Sequence, residues 1–331
     1  MSEPVVSVVI ATRNRPASLG RLLRCVAEQD QRDLECIVVD DGSSGETVAA
    51  YDDIKRDLDQ RFQFHLKAPD DRQPGGPSRM RNKGIKLARG KFVAFCDDDD
   101  RWVRNDHLST AVRAMTNQGA DLFFAAMQTS AHGKVQDPDL YAPARKTLQR
   151  HAVSGELDIF RVPPRNMAGL LRHRTLHTDT LVAARQLLFD AGLYWEKTNL
   201  AEDRDLSLRI VDRAAKILFR STVVGDLDVS HHVSLYRSFE REEKALFASL
   251  ATLHSEIEVK SPHLRRLARA IRAWDMLELS RVALANGRPR HAREFGMQSF
   301  LLYPTFGALR LTSATALRAM LSARKAKVGL R

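Results

Sequence analysis

Cysteine is scarce in this chain. There are three in 331 residues, Cys25, Cys36 and Cys96, an odd number without metal-type spacing, and each stands among apolar neighbours. Disulfides and a cysteine zinc site are therefore excluded as organising devices, and the three read as small core residues. No window approaches the ~20 apolar residues that a membrane span needs. Residues 1–11 have neither the basic start nor the long apolar stretch of a signal peptide, so a cytoplasmic protein is expected. Glycine (17) and proline (12) are too few for a low-complexity or collagen-like chain, and 44% apolar with 28% charged residues excludes disorder as the main state. No G-x-G-x-x-G follows the first apolar run and no G-x-x-x-x-G-K-S/T loop occurs, so dinucleotide-binding and P-loop enzymes lose their warrant. Acidic residues are absent after Glu294.

That last absence shows how unevenly the charge is placed. The chain carries +11, and residues 235–331 alone hold 18 Lys and Arg against 8 Asp and Glu. A division near residue 235 follows, with domains at 1–235 and 236–331. After residue 236 helical periodicity appears, in Phe239, Leu246, Leu250 and Leu253, then in Leu264, Leu267, Ile271, Trp274 and Leu277. Beyond Pro304, apolar Phe306, Leu309, Leu317, Met320 and Leu321 alternate with Arg310, Arg318, Arg324 and Lys325. A basic, acid-free amphipathic stretch suits either packing on the first domain or peripheral contact with an anionic membrane, at its inner face.

The first 235 residues alternate between strand and helix. Residues 5–11 are β-branched and apolar on both faces, as in a buried parallel strand. Pro16 opens a helix whose Leu19, Leu22, Leu23 and Val26 recur at helical spacing. A second strand at 34–39 ends in Asp40-Asp41-Gly42-Ser43, which makes a βαβ unit. The pattern continues with a strand at 62–66, a loop at Gly75-Gly76-Pro77, a helix at 78–88, a strand at 91–96, a helix at 105–117 and a strand at 121–127. Residues 128–165 show poor periodicity and are expected to be irregular. A strand at 180–184, a helix at 202–213 and strands at 216–219 and 223–229 complete the domain.

Four aspartates, Asp97 to Asp100, follow the strand at 91–96. In open α/β sheets ligands bind beyond the carboxyl ends of strands, so this cluster and Asp40-Asp41 should share one crevice. Six carboxylates there repel one another unless a cation lies between them. Hard oxygen ligands select Mg²⁺ or Mn²⁺, which commonly complete their shells with water or substrate phosphates. The residues alone thus lead to a metal and diphosphate site on an α/β sheet.

Five segments, in order, carry a resemblance: V-S-V-V-I-A-T-R-N-R-P at 6–16, V-V-D-D-G-S at 38–43, R-N-K-G-I at 81–85 leading to A-R-G at 88–90, F-V-A-F-C-D-D-D-D at 92–100 with Trp102, and E-D-R-D-L at 202–206. Together they resemble family 2 glycosyltransferases of the GT-A fold over residues 4–235. The resemblance implies a Rossmann-like, mixed but mostly parallel sheet flanked by helices, with a helical C-terminal extension. It implies a metal-dependent enzyme, using Mn²⁺ or Mg²⁺, that moves a sugar from a nucleotide-diphosphate donor to an acceptor hydroxyl with inversion. The acceptor would be a glycan or lipid-linked, as in polysaccharide or envelope synthesis, and no nucleic-acid partner is expected.

Carried over residue by residue, the resemblance puts Ala11 and Asn14 at the edge of the nucleotide pocket, Asp41 at the base and Arg81 closing the pocket. Asp97 and Asp99 match the ends of the DxD motif, Asp97 toward the ribose and Asp99 toward the metal. With four consecutive aspartates, Asp98 or Asp100 can take either role. Asp203 matches the general base. His231 and His232, after the last strand, are candidates for a metal or diphosphate contact. Trp102 and Trp195 are candidates either to stack on sugar faces or to pack in the core. The competing reading is a non-catalytic protein that binds nucleic acid or a membrane surface through its basic C-terminal segment.

Overall fold

The computed structural model describes residues 3–68, 74–172, 174–198, 200–230 and 238–310. The chain divides into two compact units, residues 1–231 and 232–331.

The first unit grows from strands that are apolar on both faces. β1 (Val6–Thr12) is buried along almost its whole length and β2 (Leu34–Asp40) along all of it, so both faces must be covered by helices. α1 (Pro16–Ala27) has proline in its first turn and buries Leu19, Leu22, Leu23 and Val26 as one stripe. α2 (Gly45–Arg56) is capped by Ser44, whose hydroxyl accepts from the Thr47 N–H. β3 (Phe62–His65), α3 (Pro77–Leu87) and β4 (Phe92–Phe95) follow. β1 pairs in parallel with β2 and β4, and β2 with β3, so these four strands deliver their carboxyl ends to one edge. α3 crosses β1 closely at Gly84, where a Cβ would stand 2.3 Å from Val9 Cγ1.

The remaining elements of this unit are β5 (Arg101–Trp102), α4 (His107–Gln118), β6 (Leu122–Ala131), β7 (Lys134–Asp137), α5 (Arg145–Leu148), β8 (Ile159–Arg161), α6 (Pro164–Leu171), β9 (Val182–Ala184), α7 (Arg185–Asp190), α8 (Glu202–Arg213) and β10 (Ile217–Asp228). Among the described residues the sheet has ten strands in the order β3-β2-β1-β4-β9-β6-β10-β5, with β7 on β6 and β8 on β10. β9 runs antiparallel between β4 and β6, while β6 and β10 are parallel. This is the mixed, mostly parallel α/β sheet expected from the sequence.

Three details differ from the sequence reading. The strands expected at 216–219 and 223–229 are one, β10, with a break of register between Arg220 and Val223. Residues 128–165 contain the β6–β7 hairpin, β8 and short helices. α2 occupies a stretch with no helical signal, because it buries a single residue, Tyr51.

The second unit is helical: α9 (Arg241–Glu258), α10 (Pro262–Ala285) and α11 (Pro289–Leu302). α9 begins with a capping box between Glu240 and Glu243. α10 packs against both neighbours, and small buried residues allow close approach: Ser280 Oγ donates to the Ala292 carbonyl (2.6 Å) and Ser299 Oγ to the Ala273 carbonyl (2.7 Å). No described helix is long and apolar enough to cross a membrane. Beyond Arg310, the amphipathic stretch read from the sequence lies outside the described residues.

Candidate active site

The carboxyl ends of β1, β2 and β4 meet as the topology requires, and the two aspartates that end β2 face different tasks. Asp40 is buried and accepts from the Gly42 and Ser43 N–H groups (3.0 Å each) and from the Ser43 and Tyr51 hydroxyls. It builds the turn. Asp41 accepts instead from the Gly75 and Gly76 N–H groups (2.7 and 2.9 Å) and pairs with Lys67 (3.0 Å). The loop before α3 is thereby held over the end of β2. Gly76 sits at φ 84° at the N-cap, a backbone that only glycine adopts cheaply.

Ala11 is half-buried at the end of β1, and Asn14 links the loops after β1 and β2. Its side-chain carbonyl accepts from the Ser44 N–H (2.8 Å) and its own N–H donates to Ser43 Oγ (2.8 Å). Asn14 takes φ 54°, one of the few non-glycine residues in the left-handed region.

The four aspartates after β4 point in different directions. Asp97 pairs with Arg81 Nη2 (2.6 Å). Asp98 is buried and accepts from Thr12 Oγ1 (2.7 Å). Arg15 Nη1 stands between Asp98 Oδ1 (2.9 Å) and Asp99 Oδ2 (2.6 Å). Burial pushes Asp98 up to about 6 in spite of Arg15 and Thr12, and burial with the nearby Asp97 charge also raises Asp99. Asp100 turns inward, where its Oδ1 accepts from the Asp228 N–H (2.9 Å). Clustered carboxylates need cations between them, and arginines supply the first: Arg15 on one side, Arg81 on the other.

Arg81 is the bridge across the crevice. Its side chain is 7% exposed, and its Nη1 pairs with Glu202 Oε1 (3.0 Å) while Nη2 holds Asp97. Burial disfavours its charge, but Asp97 and Glu202 keep it fully protonated. The same arginine lies over the Tyr194 ring, 5.3 Å from its centroid. The start of α8 is thus tied to the end of β4. Beside Glu202, Asp203 accepts from Thr175 Oγ1 through Oδ2 (2.8 Å) and from the Arg204 N–H through Oδ1 (2.7 Å). Ala201, just before them, is held at φ 62°, a strained backbone of the kind found at functional sites. Asp205, two residues on, is fully buried with Arg209 and serves packing.

Asp179 and His177 were missed in the sequence. Asp179, fully buried in a short turn before β9, accepts from the Asp97 N–H through Oδ1 (2.7 Å), and its carbonyl accepts from Trp102 Nε1 (2.6 Å). It fixes the four-aspartate segment from below. Trp102 is accordingly a core residue. His177 Nδ1 lies 3.3 Å from Asp179 Oδ2. Burial pushes the imidazolium down, but Asp179, Asp97 and Asp203 outweigh it and hold the ring at about 9. Burial and the adjacent Asp179 raise Asp100 far above the carboxylate range, so Asp100 carries the proton of that pair.

Two places offer ligands to a divalent cation. The rim, Asp97 and Asp99, presents part-exposed carboxylates, the all-oxygen donor set that Mg²⁺ and Mn²⁺ take. Deeper, Asp100, His177 and Asp179 bring ligand atoms within 4.8 Å of one another. The deep group is already balanced by protons on Asp100 and His177, which a metal would have to displace. The rim fits a cation with the smaller rearrangement, the departure of Arg15. His231 and His232 lie outside the described residues.

Residues 7–168 match the model of glycosyl transferase family 2. A Campylobacter jejuni GalNAc(5)-diNAcBac-PP-undecaprenol beta-1,3-glucosyltransferase is 34% identical over 120 residues, 36% of this chain and 37% of that protein, so the chain spans little over a third of its length in the match. The putative glycosyltransferase EpsH of Bacillus subtilis is 26% identical over 237 residues, 67% of each chain. Among solved structures, Staphylococcus aureus TarS 1–349 in complex with UDP-GlcNAc superposes with a TM-score of 0.67 at 17% identity, covering 97% of this chain and 92% of that one. The mannosyltransferase PcManGT of Pyrobaculum calidifontis, in complex with GDP-Man and Mn²⁺, gives 0.58 at 17% identity, over 96% and 85%. With the GT-A architecture and the matched motifs together, this chain belongs to glycosyltransferase family 2.

Proposed function

We propose that this glycosyltransferase takes a sugar from a nucleotide-diphosphate donor and places it, with inversion, on a hydroxyl of a glycan or lipid-linked acceptor in envelope or polysaccharide synthesis. The observation that carries the reading is the Arg81 bridge, which joins Asp97 at 2.6 Å to Glu202 at 3.0 Å and so sets the acidic strand end and the Asp203 helix start on one crevice. Support for the donor class comes from the neighbours, one in complex with UDP-GlcNAc and another with GDP-Man and Mn²⁺.

In this reading Asp41 contacts the base, Ala11 and Asn14 border the nucleotide, Arg81 closes its pocket, and Asp97 and Asp98 line the ribose side. Asp99 would hold Mn²⁺ or Mg²⁺, with His231 or His232 as a further ligand or diphosphate contact. When bound, the cation would neutralise charge on the diphosphate. Asp203 takes the proton of the acceptor hydroxyl as that oxygen attacks the anomeric carbon from the face opposite the diphosphate. The new C–O bond forms as the old one breaks, and the diphosphate leaves with the bonding electron pair. Thr175 donates to Asp203 Oδ2 and the Arg204 N–H to Oδ1, so the carboxylate is aimed from both sides.

Calorimetry with UDP, GDP and dTDP, each with Mn²⁺, Mg²⁺ or EDTA, tests the donor side: metal-dependent binding of one nucleotide is expected. Asp203→Asn should lower transfer at least 1,000-fold with donor affinity unchanged; an equal loss of nucleotide affinity would move Asp203 to the donor site.

A further inference from the structure

The second unit carries a groove of about 640 Å³ between the start of α10 and the end of α11, lined by Arg265, Arg266, Arg269 and Tyr303, with Pro262 and Pro304 at its ends. Its charge is poorly compensated. Arg265 spends one N–H on the Val259 carbonyl (2.9 Å), which neutralises nothing. Arg269 pairs with Glu256 (2.9 Å), but Arg272 shares the same carboxylate (3.2 Å). Arg266 is exposed and makes no hydrogen bond or ion pair with any described residue. Three guanidinium groups in one concave site, with half a carboxylate between them, form a receptor for an anion, and planar guanidinium forks suit phosphate oxygens.

The surroundings decide which anion. Flanking the groove's lining residues in the chain are exposed large apolar side chains: Leu301 is 75% and Phe306 80% exposed, and Met297 (53%) lies one turn before Leu301 on α11. A soluble phosphate has no use for such a rim. An anionic amphiphile has, because its head would sit among the arginines while the apolar side chains enter the acyl boundary. We propose that this groove is a membrane-docking site that takes the phosphodiester head of an anionic phospholipid, with Leu301 and Phe306 inserted beside it. The proposal does not rest on the reading of the crevice, since it uses none of its residues.

The test is flotation of the full chain with vesicles of phosphatidylcholine alone or with 30% phosphatidylglycerol. Binding is expected only with phosphatidylglycerol, and it should weaken as salt rises. One basic residue near such a surface contributes about fivefold, so Arg265→Gln with Arg266→Gln should lose about 25-fold. Phe306→Ser should lose binding while keeping its salt dependence. Arg281→Gln, a neutralisation elsewhere on the same unit, should lose fivefold or less. Unchanged melting and nucleotide affinity in the double variant show that it folds, and separate this proposal from the one for the crevice. Equal binding to both vesicles, or an unchanged double variant, would overturn the proposal. So would full competition by millimolar inorganic diphosphate, which would make the groove a site for soluble anions, or equally tight, salt-sensitive binding to duplex DNA.

Discussion

Arg15 stands where the rim would receive its cation, and its removal gives a sharp prediction. Its Nη1 lies 2.9 Å from Asp98 and 2.6 Å from Asp99. A charge pair ~3 Å apart at an effective dielectric constant near 20 attracts by about 5 kcal/mol. Arg15 is 30% exposed and Asp99 23%, and desolvation and side-chain ordering consume most of that attraction, leaving about 1–2 kcal/mol net. A divalent cation reaching Asp99 must first overcome this contact. Arg15→Gln should therefore tighten Mn²⁺ binding, without nucleotide, by about 10-fold, because 1.4 kcal/mol is one decade. Electron paramagnetic resonance of free Mn²⁺ at constant ionic strength reads this directly. The same variant should melt lower at pH 7.5, where the parent's Asp98 is charged and paired while the variant's must stay buried without Arg15 or take up a proton, and approach the parent below pH 6, where Asp98 is protonated in both. Mn²⁺ affinity that is unchanged or weaker in a normally folded Arg15→Gln protein would refute the argument, and would mean that Arg15 orients the carboxylates for the metal.

Other consequences can be checked separately. Thr175→Val removes the donor to Asp203 Oδ2 and should cut kcat about 10-fold with little change in donor KM; a change confined to KM would count against the orienting role. Gly84→Ala puts a methyl 2.3 Å from Val9 Cγ1 and should cost about 1–3 kcal/mol in denaturant melts by overpacking, whereas neutrality would mean that α3 can shift. His107 is fully buried, edge-on to Trp102 at 5.1 Å, with neither ring nitrogen bonded, and burial pushes it down to about 3. Because the unfolded chain binds this proton first, near pH 6.5, the group's contribution is full above that pH and is lost as pH falls toward 3. His107→Phe should raise Tm and flatten the acid limb of the stability curve; an unaltered acid limb would place the acid sensitivity elsewhere.

What was legible in the sequence, and what was not, divides along physical lines. β1, β2 and β4 could be read because a strand covered on both faces needs an unbroken apolar run, and the importance of the aspartates at the ends of β2 and β4 follows from the rule that such sheets place ligands at strand ends. β10 reads as two strands in the sequence because Arg220 interrupts its apolar run. That arginine is buried, satisfied by Asp106 at 2.8 Å and Asp158 at 2.8 Å, and periodicity registers polarity while it cannot register a partner 62 or 114 residues away. The β6–β7 hairpin did carry a local signal, His132-Gly133, both with positive φ, the turn chemistry that matches strand twist. Its strand β7 is exposed, so no apolar alternation announced it.

The candidate site follows the same division one level higher. Motif residues that end a strand or begin a helix are visible in a row, whereas the groups that set their charge come from elsewhere in the chain. Asp179 reaches Asp97 across 82 residues only because β9 lies next to β4 in the sheet. Thr175 finds Asp203 across 28, and Arg81 finds Glu202 across 121. Consequently, the expectation of a bare acidic crevice held together by metal alone gives way to one in which Arg15 and Arg81 already offset the aspartates. A site prepared in this way can fold without a cation, and a cation arriving at Asp99 would exchange a weak internal partner for a stronger external one.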